Sequence, residues 1–426
     1  MALTGAQILT QAGLFVLDRV QSAGPGDISI TRDKVYELGN GYSIGTTKGV
    51  PQVTYDIESF DTTAEFEAYL IGEDPRTFSS SVGSNEIDFG NAIPIDIISP
   101  MKASKNSEVI AAGAIAPYLT LSSARYRFGV GENATQNFSM NGDASFITPG
   151  QPYIEEFTNT GAGPYTLARA AETYTSGGDT IYVTSVCLFD STTKAYKRVY
   201  FDSEAAVDTP TAPTYGYTNP TNTTLYLYDD LSSTYDTVRV TYSSQTKENY
   251  SQTGNTPYGT VTHATTSVKP AAVRSQDLDV YIGTPGATPV WSRLTSVQNI
   301  EASWSVNLEN DEELGNRFYV SSDYDVPEVS GSIGIKPINV TDLVEKVTKI
   351  TGVTAGEIIG PDSSVAVPIE MRISHPTTGA RLKTIYVPDA IFNIPGLNGQ
   401  VQTKLESTLS WTSDSGTMKV YNGSRI

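Results

Sequence analysis

Through most of this chain apolar and polar positions alternate over short runs, with the two-residue period of a half-buried strand. Ile28-Ser29-Ile30-Thr31 and Trp304-Ser305-Val306-Asn307 alternate in this way. So do Arg125 to Val130, Asn137 to Ile147, Val401 to Trp411 and Thr417 to Tyr421. Two stretches depart from it. In Thr62–Ile71, Phe66 and Leu70 share one helical face; in Val340–Thr351, so do Leu343, Val347 and Ile350. Gly72 and Gly352 follow these stretches, where glycine is the usual helix stop. The pattern predicts a mainly β chain with a minor helical part.

The same elements come round twice. Glu37-Leu38-Gly39-Asn40 recurs as Glu313-Leu314-Gly315-Asn316, and Pro51-Gln52-Val53 recurs as Pro327-Glu328-Val329. Both pairs are 276 positions apart (37 to 313, 51 to 327). Two matches in one register are hard to attribute to chance. Tyr55-Asp56-Ile57-Glu58 then aligns with Gly331-Ser332-Ile333-Gly334, and each copy continues into its predicted helix. Ala92-Ile93-Pro94-Ile95-Asp96 has its counterpart in Ala366-Val367-Pro368-Ile369-Glu370, and Ala114-Ile115 in Ala390-Ile391. One module of about 120 residues, an ordinary domain size, thus spans 25–148 and returns at 293–426. Within it Gly39-Asn40-Gly41 reads as a hairpin turn, since Asn-Gly supplies the positive φ that such a turn needs.

Residues 1–24 read as a short amphipathic N-terminal arm carrying Ile8, Leu9, Ala12, Phe15, Leu17 and Val20. Residues 150–290 have no partner in the repeat. Thr180–Phe189, Ala195–Phe201, Thr223–Tyr228 and Thr237–Tyr242 read as short strands, with turn-rich segments between them. That spacing predicts an inserted small β-sandwich, followed by a polar linker over Thr246–Thr266. The insert is suited to decorating the outside of an assembly.

Composition adds exclusions. The formal charge of -19 repels phosphate and argues against a protein that wraps nucleic acid. With the single cysteine Cys187 no intrachain disulfide can form; its apolar run marks it as a buried small hydrophobe. Two histidines, His263 and His375, cannot build a His/Cys zinc site, and no nucleophile elbow or phosphate loop accompanies them. The acidic run Glu309-Asn310-Asp311-Glu312-Glu313 lacks the ligand order of a calcium loop and reads as a solvated turn. No catalytic residue, cofactor site or metal site is expected. Sequons at Asn133, Asn137, Asn222, Asn249, Asn339 and Asn422 matter only in a glycosylating host. The N-terminus lacks the basic region of a secretory signal, and no apolar run is long enough to span a bilayer. A cytoplasmic, non-membrane product is expected.

The doubled module resembles the tail tube proteins of tailed bacterial and archaeal viruses. The resemblance rests on Glu-Leu-Gly-Asn followed by Pro-x-Val, on the helix after it, and on closing strands that end in Lys419-Val420-Tyr421-Asn422-Gly423. It covers both repeats, a little over half of the chain, and does not extend to the insert. It implies two tandem β-sandwich or β-barrel tube modules, each with a flanking helix. It further implies that three chains close a pseudo-hexameric ring and that rings stack into a virion tail tube assembled in the host cytoplasm. The implied partners are the chain itself, a tail-tip or baseplate initiator, the tape measure protein and the tail terminator. Double-stranded DNA would pass through the lumen without specific binding. The expected assembly residues are Glu37, Leu38, Gly39, Asn40, Pro51, Val53, Glu313, Leu314, Gly315, Asn316, Pro327 and Val329. The post-helix loops 73–91 and 353–365 and the N-terminal arm are expected to touch the next ring. Two other classes remain open: a surface or adhesive β-protein that binds glycans, and a low-copy tail hub.

Overall fold

The computed structural model describes residues 10–13, 15–17, 19–25, 32–36, 43–48, 50–75, 78–103, 109–176, 179–201, 216–227, 232–246, 273–286, 288–311, 319, 321–337, 340–351, 364–393 and 407–425. The strand expected at 28–31 and most of the linker expected at 246–266 lie outside this set. The chain is mainly β, as its alternation predicts.

The first repeat begins with a hairpin of β1 (Gln11–Ala12) and β2 (Phe15–Val16), followed by β3 (Val20–Pro25), β4 (Arg32–Tyr36), β5 (Ser43–Lys48) and β6 (Val53–Ser59). After α1 (Glu65–Leu70) come β7 (Glu86–Asp88), β8 (Ile95–Lys102), β9 (Ile110–Gly129), β10 (Thr135–Gly142) and β11 (Phe146–Thr148). Helix α1 is shorter than the expected 62–71. The Asp61 carboxylate accepts hydrogen bonds from the amide and hydroxyl of Thr63, a local turn that competes with helix. Residues 10–25 are not a free arm either. Their hairpin pairs β1 with β8, Gln11 opposite Ile98 and Ala12 opposite Ile97. Gly13, at φ 52°, turns the chain where the expected amphipathic arm would have run on. A Cβ at Gly13 would sit 1.6 Å from the Tyr69 hydroxyl oxygen, so only glycine fits.

The middle segment forms its own sheet from β12 (Gln151–Thr158), β13 (Tyr165–Thr166), β16 (Val183–Phe189), β17 (Tyr196–Phe201), β18 (Gly216–Thr221), β19 (Thr224–Leu227) and β20 (Thr237–Ser244). Between them β14 (Tyr174–Ser176) and β15 (Asp179–Ile181) make a small hairpin. Pairings are antiparallel except β17–β18, which run parallel and join the two halves of the sheet. Its core of Tyr153, Val183, Leu188, Val238, Val240 and neighbours also takes in Ile98, Ile110 and Ile115 from β8 and β9. The insert is therefore fused to the first repeat through a common core.

The second repeat comprises β21 (Leu278–Gly283), β22 (Trp291–Arg293), β23 (Val297–Ser305), β24 (Leu308–Asp311), β25 (Ser321–Tyr324), β26 (Glu328–Ile335), α2 (Val340–Thr351), β27 (Val367–Ser374), β28 (Arg381–Phe392), β29 (Ser407–Ser413) and β30 (Lys419–Asn422). The 150–290 segment is thus divided: its last strand, β21, pairs with β27 and with β22, both of the second repeat.

The two copies pair their strands alike. In the first, β6 lies between β3 and β10, β10 pairs with β9, and β9 with β8. In the second, β26 lies between β23 and β29, β29 pairs with β28, and β28 with β27. Each copy also carries a hairpin whose strands pair only with each other among the described residues, β4–β5 and β24–β25. One hydrophobic core serves both repeats, running from Tyr55, Ile57 and Phe138 to Trp304, Ile333, Trp411 and Val420.

Candidate assembly surface

Of the twelve signature residues the structure describes Pro51, Val53, Pro327 and Val329. Glu37, Leu38, Gly39 and Asn40, with the expected Asn-Gly turn, lie outside the described residues, as do Glu313, Leu314, Gly315 and Asn316. In sequence the quartets lie between β4 and β5 and between β24 and β25. Pro51 and Pro327 instead sit just before β6 and β26. A residue without an amide hydrogen is harmless there. Val53 and Val329 are buried, 1% and 2% exposed, so they pack the core instead of presenting a contact. Loop 73–91 is held by the chain's own C-terminus: the Asn85 side chain donates to the carbonyls of Asn422 and Ser424, and that of Asn422 to those of Phe78 and Ser79. Residues 353–363 lie outside the described set.

What the structure does bring together is an edge-to-edge joint between the repeats. The second half of β9 pairs antiparallel with β23 over seven residue pairs, from Asn299 opposite Gly129 to Ser305 opposite Ser123. The amides of Val130 and Val306 extend the ladder at its ends, donating to the carbonyls of Gln298 and Ser122. Seven strands thereby form one continuous run, β3-β6-β10-β9-β23-β26-β29. One face of the run is core: Tyr55, Ile57, Ala124, Tyr126, Phe138, Ala302, Trp304, Ile333, Leu409 and Trp411 are buried. The other is polar, with Asp56, Glu58, Arg125, Arg127, Asn137, Glu301, Ser303, Glu328, Ser330 and Ser410. Across the joint Arg125 meets Glu301 at 2.7 Å, with the arginine half exposed. A pair so exposed contributes at most about 1 kcal/mol.

Beneath the polar face the joint is tied by buried charge. Lys383 on β28 and Glu67 on α1, both 0% exposed, form an ion pair between the repeats. The lysine also donates to Gln136 at 2.8 Å, and the Tyr126 hydroxyl donates to Glu67 at 2.9 Å. Burial, with Glu67 beside it, holds the Tyr126 hydroxyl well above its usual pKa, so it stays a donor. The insert adds a second tie. Arg198 on β17 meets Asp143 of the first repeat at 2.5 Å, and the same carboxylate accepts from the Tyr319 amide of the second. Tyr200 donates to the Tyr319 carbonyl at 2.6 Å.

The far ends of the chain do not repeat this closure. Strand β3, which occupies in the first copy the place of β23, pairs with β6 alone among the described residues. Helix α1 has every residue from Phe66 to Leu70 buried. Its counterpart α2 leaves Val344 53% exposed.

His375 closes a turn, its Nδ1 accepting from the amides of Thr377 and Thr378, while His263 lies outside the described residues. Glu309, Asn310 and Asp311 are strand residues of β24. Among the described residues no group of three potential metal ligands occurs, and no helix is long and apolar enough to cross a membrane. Cys187 is fully buried, and burial pushes its thiol up to about 12. A water-soluble disulfide reagent should leave it unlabelled at pH 8 and label one thiol per chain in denaturant; prompt labelling of the folded protein would contradict this burial.

Sequence reasoning found the strands of the joint in part, but not their pairing, and it missed Glu67, Lys383, Arg198 and Asp143. Nothing in the linear pattern marks a charge 316 positions from its partner.

No protein-family profile and no curated protein matches the chain. Among solved structures it is similar to a chain of "Cryo-EM structure of the anti-feeding prophage (AFP) baseplate, 6-fold symmetrised", at 10% identity and a TM-score of 0.25, covering 34% of this chain and 92% of that one. A likeness at that level supports no conclusion about fold or function.

Proposed function

We propose that the chain is the structural subunit of a viral tail tube. Two modules per chain and three chains close a pseudo-hexameric ring, and rings stack into a conduit for double-stranded DNA. The observation that carries this reading is the joint. One copy offers β9 and the other offers β23, so the contact is head-to-tail. Contacts of that kind repeat until a ring closes or a filament grows. The second edge of β3, the counterpart of β23, has no partner among the described residues and is the acceptor that the next chain would need. Open edges are templates for pairing unless they are covered.

The charge distribution agrees. On the polar face of the seven-strand run the carboxylates of Asp56, Glu58, Glu301 and Glu328 outnumber Arg125 and Arg127. Turned toward a lumen, such a wall would let phosphate slide past without holding it. The sequence resemblance supplies the ring of six modules. It also supplies the remaining partners, a tail-tip or baseplate initiator, a tape measure protein and a terminator, and the virion location.

Negative-stain electron microscopy with mass photometry tests the reading. Rings or tubes are expected, with a ring mass near three times 45.8 kDa. A monomer at all concentrations that also fails to polymerise on a tail-tip complex would overturn it. Copy number in purified particles separates an abundant tube protein from a scarce hub built on the same module.

A further inference from the structure

Within the chain the two repeats meet along a second ladder. Strand β30 of the second repeat lies between two neighbours. On one side it pairs with β28, Lys383 opposite Asn422 through Tyr386 opposite Lys419. On the other it pairs with β7 of the first repeat, Lys419 opposite Asp88 through Tyr421 opposite Glu86. Side chains reinforce this edge: Lys419 donates to Glu86 at 2.6 Å and Tyr421 to Glu86 at 2.8 Å. Covered on both sides, β30 keeps Val420 and Tyr421 buried.

Strand β11 holds the corresponding place in the first repeat. It follows β10 as β30 follows β29, and it pairs with the first half of β9 as β30 pairs with the first half of β28. Its other edge has no strand among the described residues. Ile147 at its centre is 85% exposed, the most exposed of the large hydrophobic side chains described. Natural proteins blunt such edges by keeping them short or with charge, proline or a bulge. Strand β11 is three residues long and Pro149 follows it, but no charge or bulge shields Ile147, which stands in water on an edge with no strand partner among the described residues.

We infer that β11 is a docking edge for a second copy of this chain, whose second repeat covers it as β7 covers β30 within the chain. The inference rests on the ring reading and deepens it: chains meet through two ladders, one at β3 and one at β11. The occupant is a second copy because the intrachain counterpart of this edge is already covered by the neighbouring repeat.

Three variants test it. Ile147→Glu should weaken ring formation at least about tenfold, since burial of an isoleucine is exchanged for burial of a charge. Its monomer should keep the wild-type circular dichroism and melting temperature, because the side chain faces water there. Ile147→Leu should assemble normally. A photocrosslinking amino acid at position 147 should capture residues of a neighbour's second repeat, identified by peptide mass spectrometry. If the wild type forms rings and Ile147→Glu forms them equally well, or if the crosslink lands within the same chain, the β11 edge is wrong and the ring stands. If the wild type forms no ring even with a tail-tip complex, the ring reading itself fails and this inference with it.

Discussion

Replacing Lys383 with alanine should lower the unfolding free energy by about 3–5 kcal/mol, the usual cost of leaving one member of a buried ion pair alone. Glu67 would be left in a site with 0% exposure, with Tyr126 the one remaining side-chain donor among the described residues. The double variant Glu67→Leu, Lys383→Met should recover most of that loss, because an apolar pair of similar volume removes the desolvation cost of both charges. Urea denaturation of Glu67→Leu, of Lys383→Met and of the double variant closes the cycle. A Lys383→Ala loss below about 1 kcal/mol, the range of exposed pairs, would mean that water reaches the site and that the repeats are not tied there.

Trp304→Ala should cost about 3–5 kcal/mol. The indole is 2% exposed, with Phe89 of the first repeat at 5.5 Å and Tyr324 of the second at 6.3 Å. Because the core it fills is continuous across both repeats, they should unfold in one transition, and the variant should move that transition as a whole. Denaturation followed by tryptophan fluorescence and by hydrogen exchange mapped to each repeat decides this. Separate midpoints for the repeats would show that the shared core does not couple them.

Local signals were legible in the sequence and pairings were not. The helix expected at 340–351 is α2 to the residue, since its apolar face and the glycine that follows it are local features. The insert strands expected at 180–189, 195–201, 223–228 and 237–242 stand at 183–189, 196–201, 224–227 and 237–244, where short apolar runs between turns put them. Strand β9 was harder to read. Its first half is buried on successive positions, from Ala114 to Leu121, so alternation vanishes there and returns only toward Arg125. The N-terminal hairpin was lost for a related reason: Ala12 and Phe15 have helical spacing, and only Gly13 between them says otherwise. The repeat was visible because it is a match of residues. The joint it builds was not, because which edge meets which is set by twist and packing far apart in the chain. The signature quartets, the clearest motif in the sequence, fall outside the described residues. The edge strands that the assembly argument needs, β3 and β11, carry no motif at all.

The β9–β23 joint also has a mechanical consequence. In a closed ring, tension around the circumference would pull across the strands, along the direction of their hydrogen bonds. The seven residue pairs of that ladder would then share the load together instead of peeling one by one. With two modules in a single polypeptide, half of the seams in such a hoop would be intramolecular. Those seams would rejoin after slipping without a partner having to diffuse back. Bursting strength would be set by the three seams between chains, and the β3 and β11 edges are where a stiffer or a weaker tube could be engineered.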